Sequence, residues 1–578
     1  MSEYRRPALE NAWAPPKPVT RRELALALLL GLLQGGLLLG IAFDKSETFD
    51  EHVYLTRSSW VFASWPVVPR SWLTPQWAFA AALWVADPSG LEGRLDLGPG
   101  LAELTRKHPK SWPRLLRTAR LATILVTVAA GLWLWGVARR FGAAAGLAAH
   151  GLWVFSPTVL GHGCLVNLDG WAAAWAALLL LCAVRFVEQP TWVRAAQMGP
   201  PLALAASTKG PTVVVALPLL AFMAWAVLKP SPSGQGRVRA FLVGTAALGV
   251  AALLALFALY GFSFGPLREA ALSPLGLSRA SVGRLPFPVF FEALLTQATY
   301  GAEGKTSYLF GEVSKTGWWW FYLAVLALKV TLGAQLLFAA RLLGLFRASL
   351  PARRIDLALL AAPCLLLLVL SLARAQGGVR YLLPAFPFAL VFLARGLPEA
   401  ERAWGRRGSA AYLGVLCLGV LGSLSVYPHE LMFFNLWAGG PSAGPRYLIY
   451  SDDWGQDKRR LAEWQEKNGL PILYYTRHGL NPALWGLSWE TAPCAPRKGV
   501  FALQAEEVHR HGTVQAGCLD WLTLEPPDER LGYSIYIYIV NKERLLRLAS
   551  ECAAPRPFWR SGEGTPCDRF KKRKEAGP

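Results

Sequence analysis

The chain predicts a polytopic α-helical membrane protein that carries a smaller α/β unit at its C-terminal end. Hydrophobic residues make up 53% of its 578 residues, too many for one soluble domain, yet charges interrupt them too often for a bare bundle of spans. The apolar runs recur at about 20 residues, enough to cross a ~30 Å hydrocarbon core as helices. After Pro428 these runs stop, and charged helical stretches alternate with β-branched and aromatic ones. The formal net charge of +21 would suggest nucleic acid in a soluble chain. Here much of it falls in short loops between apolar runs, as positive-inside topology requires, so membrane lipid and not nucleic acid is the expected partner.

Residues 1–23 hold Arg5, Arg6, Lys17, Arg21 and Arg22 and are expected to be cytoplasmic. No small-residue cleavage site follows, so the next run reads as a retained first span. The membrane part is expected over 24–427, with outer loops at 44–114 and 263–317. Its first span, Leu24 to Phe43, leads to Asp50 and Glu51. The second and third flank Arg139 and Arg140, the fourth starts at Asp169, and a short fifth from Ala195 to Ser207 ends at Lys209. A Ser/Gly/Pro-rich linker, KPSPSGQGRVR, separates the sixth from the seventh. The eighth opens with the aromatic belt at Trp318, the ninth ends at Arg374, the tenth follows Arg380, and the last ends near Tyr427. Counting Lys and Arg in each loop gives about eleven spans. The N-terminus then lies inside, and Asp50, Asp169, Lys209, Arg380 and the tail lie outside.

The tail, 428–578, is expected to form an extracytoplasmic α/β domain ending in a disordered basic segment, KKRKEAGP. RYLIYS and PILYYT read as strands around the helix of DDWGQDKRRLAEWQEKNG, and YSIYIYIV reads as a further strand. Cys494, Cys518, Cys552 and Cys567 fall here, an even number in an oxidising compartment, so one or two disulfides are expected. No CxxC pair points to zinc, and no P-loop or GxGxxG points to a nucleotide.

Charges in short outer loops mark where chemistry would sit, because ionisable groups at membrane depth face a wet cavity or a partner. Asp50 and Glu51, with His52 and Tyr54 beside them, are suited to accept a proton or hold a cation. Asp169 stands where a helix N-cap would also stand. Lys209, Arg380 and the basic run Lys107, His108 and Lys110 are suited to an anion such as a lipid phosphate. Lys209 also fits an interfacial lysine, and the basic run an interfacial segment. Glu430, Asp452, Asp453 and Asp457 are placed to close the top of such a cavity.

FDEHVY, the KHPK run, GHGCLVNLDGWAAAWAALLL and RYLLPAFPFALVFLA occur in this order, followed by YPHELMFFNLWAGGP and RYLIYSDDWGQDKRRLAEW. In these features the chain resembles glycosyltransferase family 39 of the GT-C membrane glycosyltransferases, which includes the protein O-mannosyltransferases and the lipid A aminoarabinose transferase. The resemblance implies a GT-C fold in a bacterial inner membrane. It implies a polyprenyl-phosphate sugar as donor, a lipid, protein or glycan acceptor, and inverting transfer on the outer face. Asp50 is then the base, with Glu51 as its neighbour and Asp169 assisting. Lys209, Arg380, Tyr381 and one member of Lys107, His108 and Lys110 hold the phosphate. A divalent cation shared by Asp50 and Asp169 is an open option; no other cofactor is implied. The competing expectation is a transporter or lipid flippase, which would show repeat-related halves and broken midplane helices.

Overall fold

The computed structural model describes residues 18–63, 73–86, 111–228, 237–273, 276–278, 282–345, 350–449, 452–476, 482–494, 496–510, 519 and 521–553. Lys107, His108, Lys110, Cys518, Cys567 and the basic end lie outside them.

Helix α1 (Arg21–Asp44) starts at Thr20, whose hydroxyl accepts from the Glu23 amide at 3.1 Å. Two shorter helices follow, α2 (Phe49–Ala63) and α3 (Leu73–Ala86). Helix α4 (Trp112–Ala138) has Pro113 in its first turn, where no intrahelical N–H is missed. Its far end is tied to α1 by Arg139, which donates to Glu23 at 2.9 Å. Next come α5 (Ala143–Val154), α6 (Pro157–Gly163), α7 (Asp169–Glu188), α8 (Trp192–Gln197), α9 (Gly199–Ala206), α10 (Gly210–Leu228) and α11 (Arg237–Leu259). Two small antiparallel ladders, β1 (Phe264–Pro266) with β2 (Arg284–Pro286) and β3 (Ser307–Leu309) with β4 (Glu312–Ser314), flank α12 (Pro288–Glu303). Helices α13 (Phe321–Lys329), α14 (Leu332–Leu345) and α15 (Leu350–Leu372) precede a 3₁₀ segment, Val379–Ala385. That segment runs into α16 (Phe386–Ala394) and α17 (Gly396–Leu424). Helices α14 and α17 approach backbone to backbone, since a Cβ on Gly333 would lie 2.3 Å from the Val415 carbonyl oxygen.

Among the described residues six helices are long and apolar enough to cross a membrane, or eight if each of two bent pairs is one span. The expected eleven do not emerge as uninterrupted helices, for local reasons. The third span breaks by 59° between α5 and α6, where Ser156 caps and Pro157 opens a new helix. The eighth bends by 118° between α13 and α14. The fifth is two short pieces, α8 and α9, the second opening at Pro200 and Pro201. The tenth and eleventh form one helical stretch, Val379–Leu424, interrupted at Gly405, where φ is 59°.

The tail folds on a five-stranded mixed sheet in the order β6-β5-β7-β9-β8. Its strands are β5 (Leu473–Tyr475), β6 (Trp489–Thr491), β7 (Gly499–Gln504), β8 (Glu529–Leu531) and β9 (Ile535–Val540). Alternation along β9 fills both faces: Ile535 and Ile537 pack with Leu461 of α18 (Lys458–Lys467). Tyr536, Tyr538 and Val540 pack with Phe501, Trp521 and Leu548 of α20 (Lys542–Ala553), while α19 (Ala505–Arg510) directly follows β7. The expected strand RYLIYS is a correction. A 3₁₀ turn, Gly444–Arg446, leads to one bridge between Leu448 and Leu309, and with the Tyr447 carbonyl accepting from the Phe310 amide these residues lie against β3 rather than in the five-stranded sheet. Cys494 is disulfide-bonded.

Candidate active site

Asp50 and Glu51 open α2 side by side, and one residue turns a helix by about 100°, so their side chains part. Glu51 turns inward. It is fully buried and accepts from Arg120 Nε at 2.8 Å and Nη2 at 2.7 Å, from the Thr48 amide at 2.8 Å and from the Val166 amide at 2.9 Å. Arg120 donates its remaining hydrogens to the carbonyls of Ala42, Lys45 and Ser46. This pair staples the end of α1, the start of α2 and the turn before α7 into one unit, and Asp50 stands on it.

Asp50 turns the other way, toward the 3₁₀ segment. Arg380 Nη1 donates to Asp50 Oδ2 at 2.6 Å and lies 3.8 Å from Asp169 Oδ2. Lys209, between α9 and α10, donates to Asp169 Oδ1. Its ammonium lies 4.0 Å from the ring centroid of Tyr381, and the Arg380 guanidinium lies 5.6 Å from the same ring. A Cβ on Gly377 would stand 2.2 Å from the Tyr381 ring, so glycine there makes room for it. Five sequence-selected residues from four separate segments therefore meet. Asp169 is the first residue of α7, not its cap; Asn167 Oδ1 accepts from the amides of Asp169 and Gly170 instead. Among the charged members, Asp50 is the most open at 24% exposure, against 11% for Arg380, 9% for Lys209 and 3% for Asp169. Burial and the charges of Asp50 and Asp169 push the Tyr54 phenol above its usual range, so it stays a hydrogen donor. Burial holds the His52 imidazole below its ordinary value, hence neutral.

The arrangement pairs two carboxylates with two cations, and Arg380 stands between the carboxylates where a shared divalent ion would have to fit. Another group, Asp44, His429 and Asp457, brings three potential ligand atoms within 4.8 Å of one another. The Lys45 ammonium already occupies it, 2.6 Å from Asp457 and 3.1 Å from Asp44.

Several contacting residues escaped the sequence reading. Glu47 is fully buried and takes Lys458 at 2.8 Å and the indole N–H groups of Trp112 at 3.2 Å and Trp485 at 2.6 Å. Burial pushes its carboxyl up, but Lys458 and the Trp485 donor outweigh burial and hold it below the usual range. Asp452 pairs with Lys329 at 2.6 Å, so of the four acids expected above the cavity it reaches a membrane-part cation directly, as Asp457 does through Lys45. Asp453 instead faces the tail, where burial and Glu506 raise it well above the carboxylate range. Glu430 is buried, its carboxyl oxygens have no hydrogen-bond partner among the described residues, and burial pushes it up to about 7.

The 3₁₀ segment that presents Arg380 and Tyr381 continues into the wall of an apolar cavity of about 370 Å³. Leu382, Ala385, Pro157, Leu360 and Leu416 line it, and Lys329 stands in its wall.

Residues 115–260 match the family model described as dolichyl-phosphate-mannose-protein mannosyltransferase. That is the family to which the motifs of the sequence pointed. The matched segment takes in Arg120, Asp169 and Lys209, with Asp50 before it and Arg380 beyond it. Among solved structures, the chain is similar to ArnT from Cupriavidus metallidurans bound to undecaprenyl phosphate, at 14% identity and a TM-score of 0.44, over 90% of this chain and 98% of that one. It is also similar to the apo oligosaccharyltransferase of Archaeoglobus fulgidus, at 13% identity and a TM-score of 0.41, over 69% of this chain and 56% of that one. No curated protein sequence matches the chain.

Proposed function

We propose that the protein is an inverting glycosyltransferase of the membrane, moving a sugar from a polyprenyl-phosphate donor to a lipid, protein or glycan acceptor on the outer face. The observation that carries this reading is Arg380, held between Asp50 and Asp169 on the 3₁₀ segment whose next residues, Leu382 and Ala385, line an apolar cavity, with Asp50 the most open of the charged groups. A phosphoryl group entering beside Lys209 and Arg380 competes for the guanidinium, which binds phosphate as readily as carboxylate. Once Arg380 turns to the phosphate, Asp50 is released to act as base.

In the transfer step Asp50 takes the proton of an acceptor hydroxyl or amine. The acceptor atom forms its bond to the anomeric carbon from the face opposite the phosphate. The bond from that carbon to the phosphate oxygen breaks, and the polyprenyl phosphate leaves with the electron pair. Lys209 and Arg380 stabilise the charge growing on it, where the exclusion of water makes fixed cations most effective. Asp169 orients Lys209, and Glu51 holds the frame through Arg120. One member of Lys107, His108 and Lys110 remains a proposed phosphate contact.

The isoprenoid part of the donor is assigned to the apolar cavity, whose wall of aliphatic side chains suits a hydrocarbon. The disulfide at Cys494 supports an extracytoplasmic tail, and a cytoplasmic N-terminus and inner-membrane residence belong to the same reading.

The test incubates the purified chain in lipid nanodiscs with undecaprenyl-phosphate-linked sugars and envelope extracts, followed by mass spectrometry and NMR. Release of undecaprenyl phosphate with a product of inverted anomeric configuration is expected. Accumulation of donor inside sealed vesicles without any covalent product would overturn the reading in favour of a transporter.

A further inference from the structure

The stretch Asp452 to Lys458 of the tail carries a dense set of contacts with the membrane part. Besides the ion pairs of Asp452 with Lys329, Asp457 with Lys45 and Lys458 with Glu47, its main chain is used directly. The Gln456 carbonyl accepts from the Ser46 amide at 2.9 Å, and the Trp454 carbonyl accepts from the Phe49 amide at 3.0 Å. Phe49 is the residue before Asp50. The Trp454 indole, only 7% exposed, carries the Arg380 guanidinium 4.4 Å from its centroid. His162 braces that indole edge-on, with ring centroids 5.8 Å apart.

One residue thus grips both halves of the Asp50–Arg380 ion pair. Its carbonyl holds the backbone from which Asp50 projects, and its ring holds the guanidinium that Asp50 binds. A sugar-stacking platform would need an open indole face, and this ring is buried between Arg380 and His162. We infer that Trp454 is a positioning residue of the tail, setting Arg380 relative to Asp50, so that the C-terminal unit completes the active site. The inference rests on the reading of Arg380 as the phosphate-binding cation.

The test is a double-mutant cycle on the full chain in nanodiscs, with undecaprenyl phosphate as binding probe and sugar transfer as the second readout. Trp454→Leu is expected to weaken probe binding and slow transfer by about tenfold, in line with the loss of a desolvated cation–π contact. Trp454→Phe, which keeps a ring, is expected to recover to within about threefold. In an Arg380→Ala background Trp454→Leu is expected to change either readout by less than about twofold, because the group it acts through is gone. Losses that multiply with those of Arg380→Ala, or a Trp454→Leu chain as active as the parent, would overturn the inference. If Arg380→Ala itself binds the probe like the parent, the phosphate reading fails instead, so the two failures are distinct. Should Trp454→Leu not fold, Trp454→Phe in both backgrounds closes the same cycle: its smaller loss must vanish without Arg380, and persistence of that loss overturns the inference.

Discussion

Asp50 and Glu51 are neighbours with opposite surroundings. Glu51 and Arg120 are both fully buried and satisfy each other, and removing one partner of such a pair leaves a stranded charge. Arg120→Met is therefore expected to cost roughly 3–5 kcal/mol, read as a lowered melting temperature, and replacing both partners by apolar residues recovers only part of it, because the carbonyls of Ala42, Lys45 and Ser46 and the amides of Thr48 and Val166 lose these partners. Glu430 is a buried carboxyl without a hydrogen-bond partner among the described residues, raised to about 7 from 4.5. Its folded form binds the proton more tightly than the unfolded form does. Its stabilising share is thus complete below about pH 4.5 and falls as pH rises through about 7. Glu430→Gln is expected to flatten the melting temperature between pH 5 and 8 and to be the more stable protein at pH 8, by up to about 3 kcal/mol. An unchanged pH profile would show that the carboxyl finds a partner in solution.

At the scale of elements, what the sequence made legible was what local pattern encodes. The long apolar runs became α1, α4 and α7, the charged amphipathic stretch became α18, and the alternating YSIYIYIV became β9. Breaks were harder to see, since Ser156–Pro157 interrupts a continuous apolar run and periodicity averages across it. RYLIYS has strand composition, but its Tyr447 and Leu448 lie against β3, a tertiary override of propensity. Asp50, Asp169, Lys209 and Arg380 were legible because charge at the end of an apolar run is conspicuous, and Tyr381 entered only through the resemblance of the segment RYLLP. Arg120, Glu47, Lys45 and Trp454 were not legible. Their partners stand far along the chain, 412 residues away for Lys45 and Asp457, and no local spacing records such a pair. The loop from Asp452 to Lys458 is accordingly the element to perturb. Lys458→Met would leave Glu47 buried without its ammonium, and loosened docking of the tail is expected, measured as several-fold faster proteolysis between the tail and α17 and a loss of about 3 kcal/mol. Proteolysis at the parent rate would count against the tail being held by charge.

Across the whole molecule, helices α15 and α16 separate two ion networks. At one end Asp356 binds Arg341 at 2.7 Å and Arg395 at 2.5 Å, with Glu399 beside them. At the other end stand Arg380 and its carboxylates. The proposed orientation puts the first network at the cytoplasmic face and the second outside. A cysteine placed at the exposed Leu436 is then expected to react with a membrane-impermeant maleimide in intact cells, and one at the exposed Arg402 only after permeabilisation. The reverse labelling would invert the topology and remove the outer-face chemistry. The most direct test of the central claim is the turnover of Asp50→Asn in protein that melts and binds undecaprenyl phosphate like the parent. Sugar transfer is expected to fall by at least about 100-fold, and transfer within about twofold of the parent would contradict Asp50 as the base.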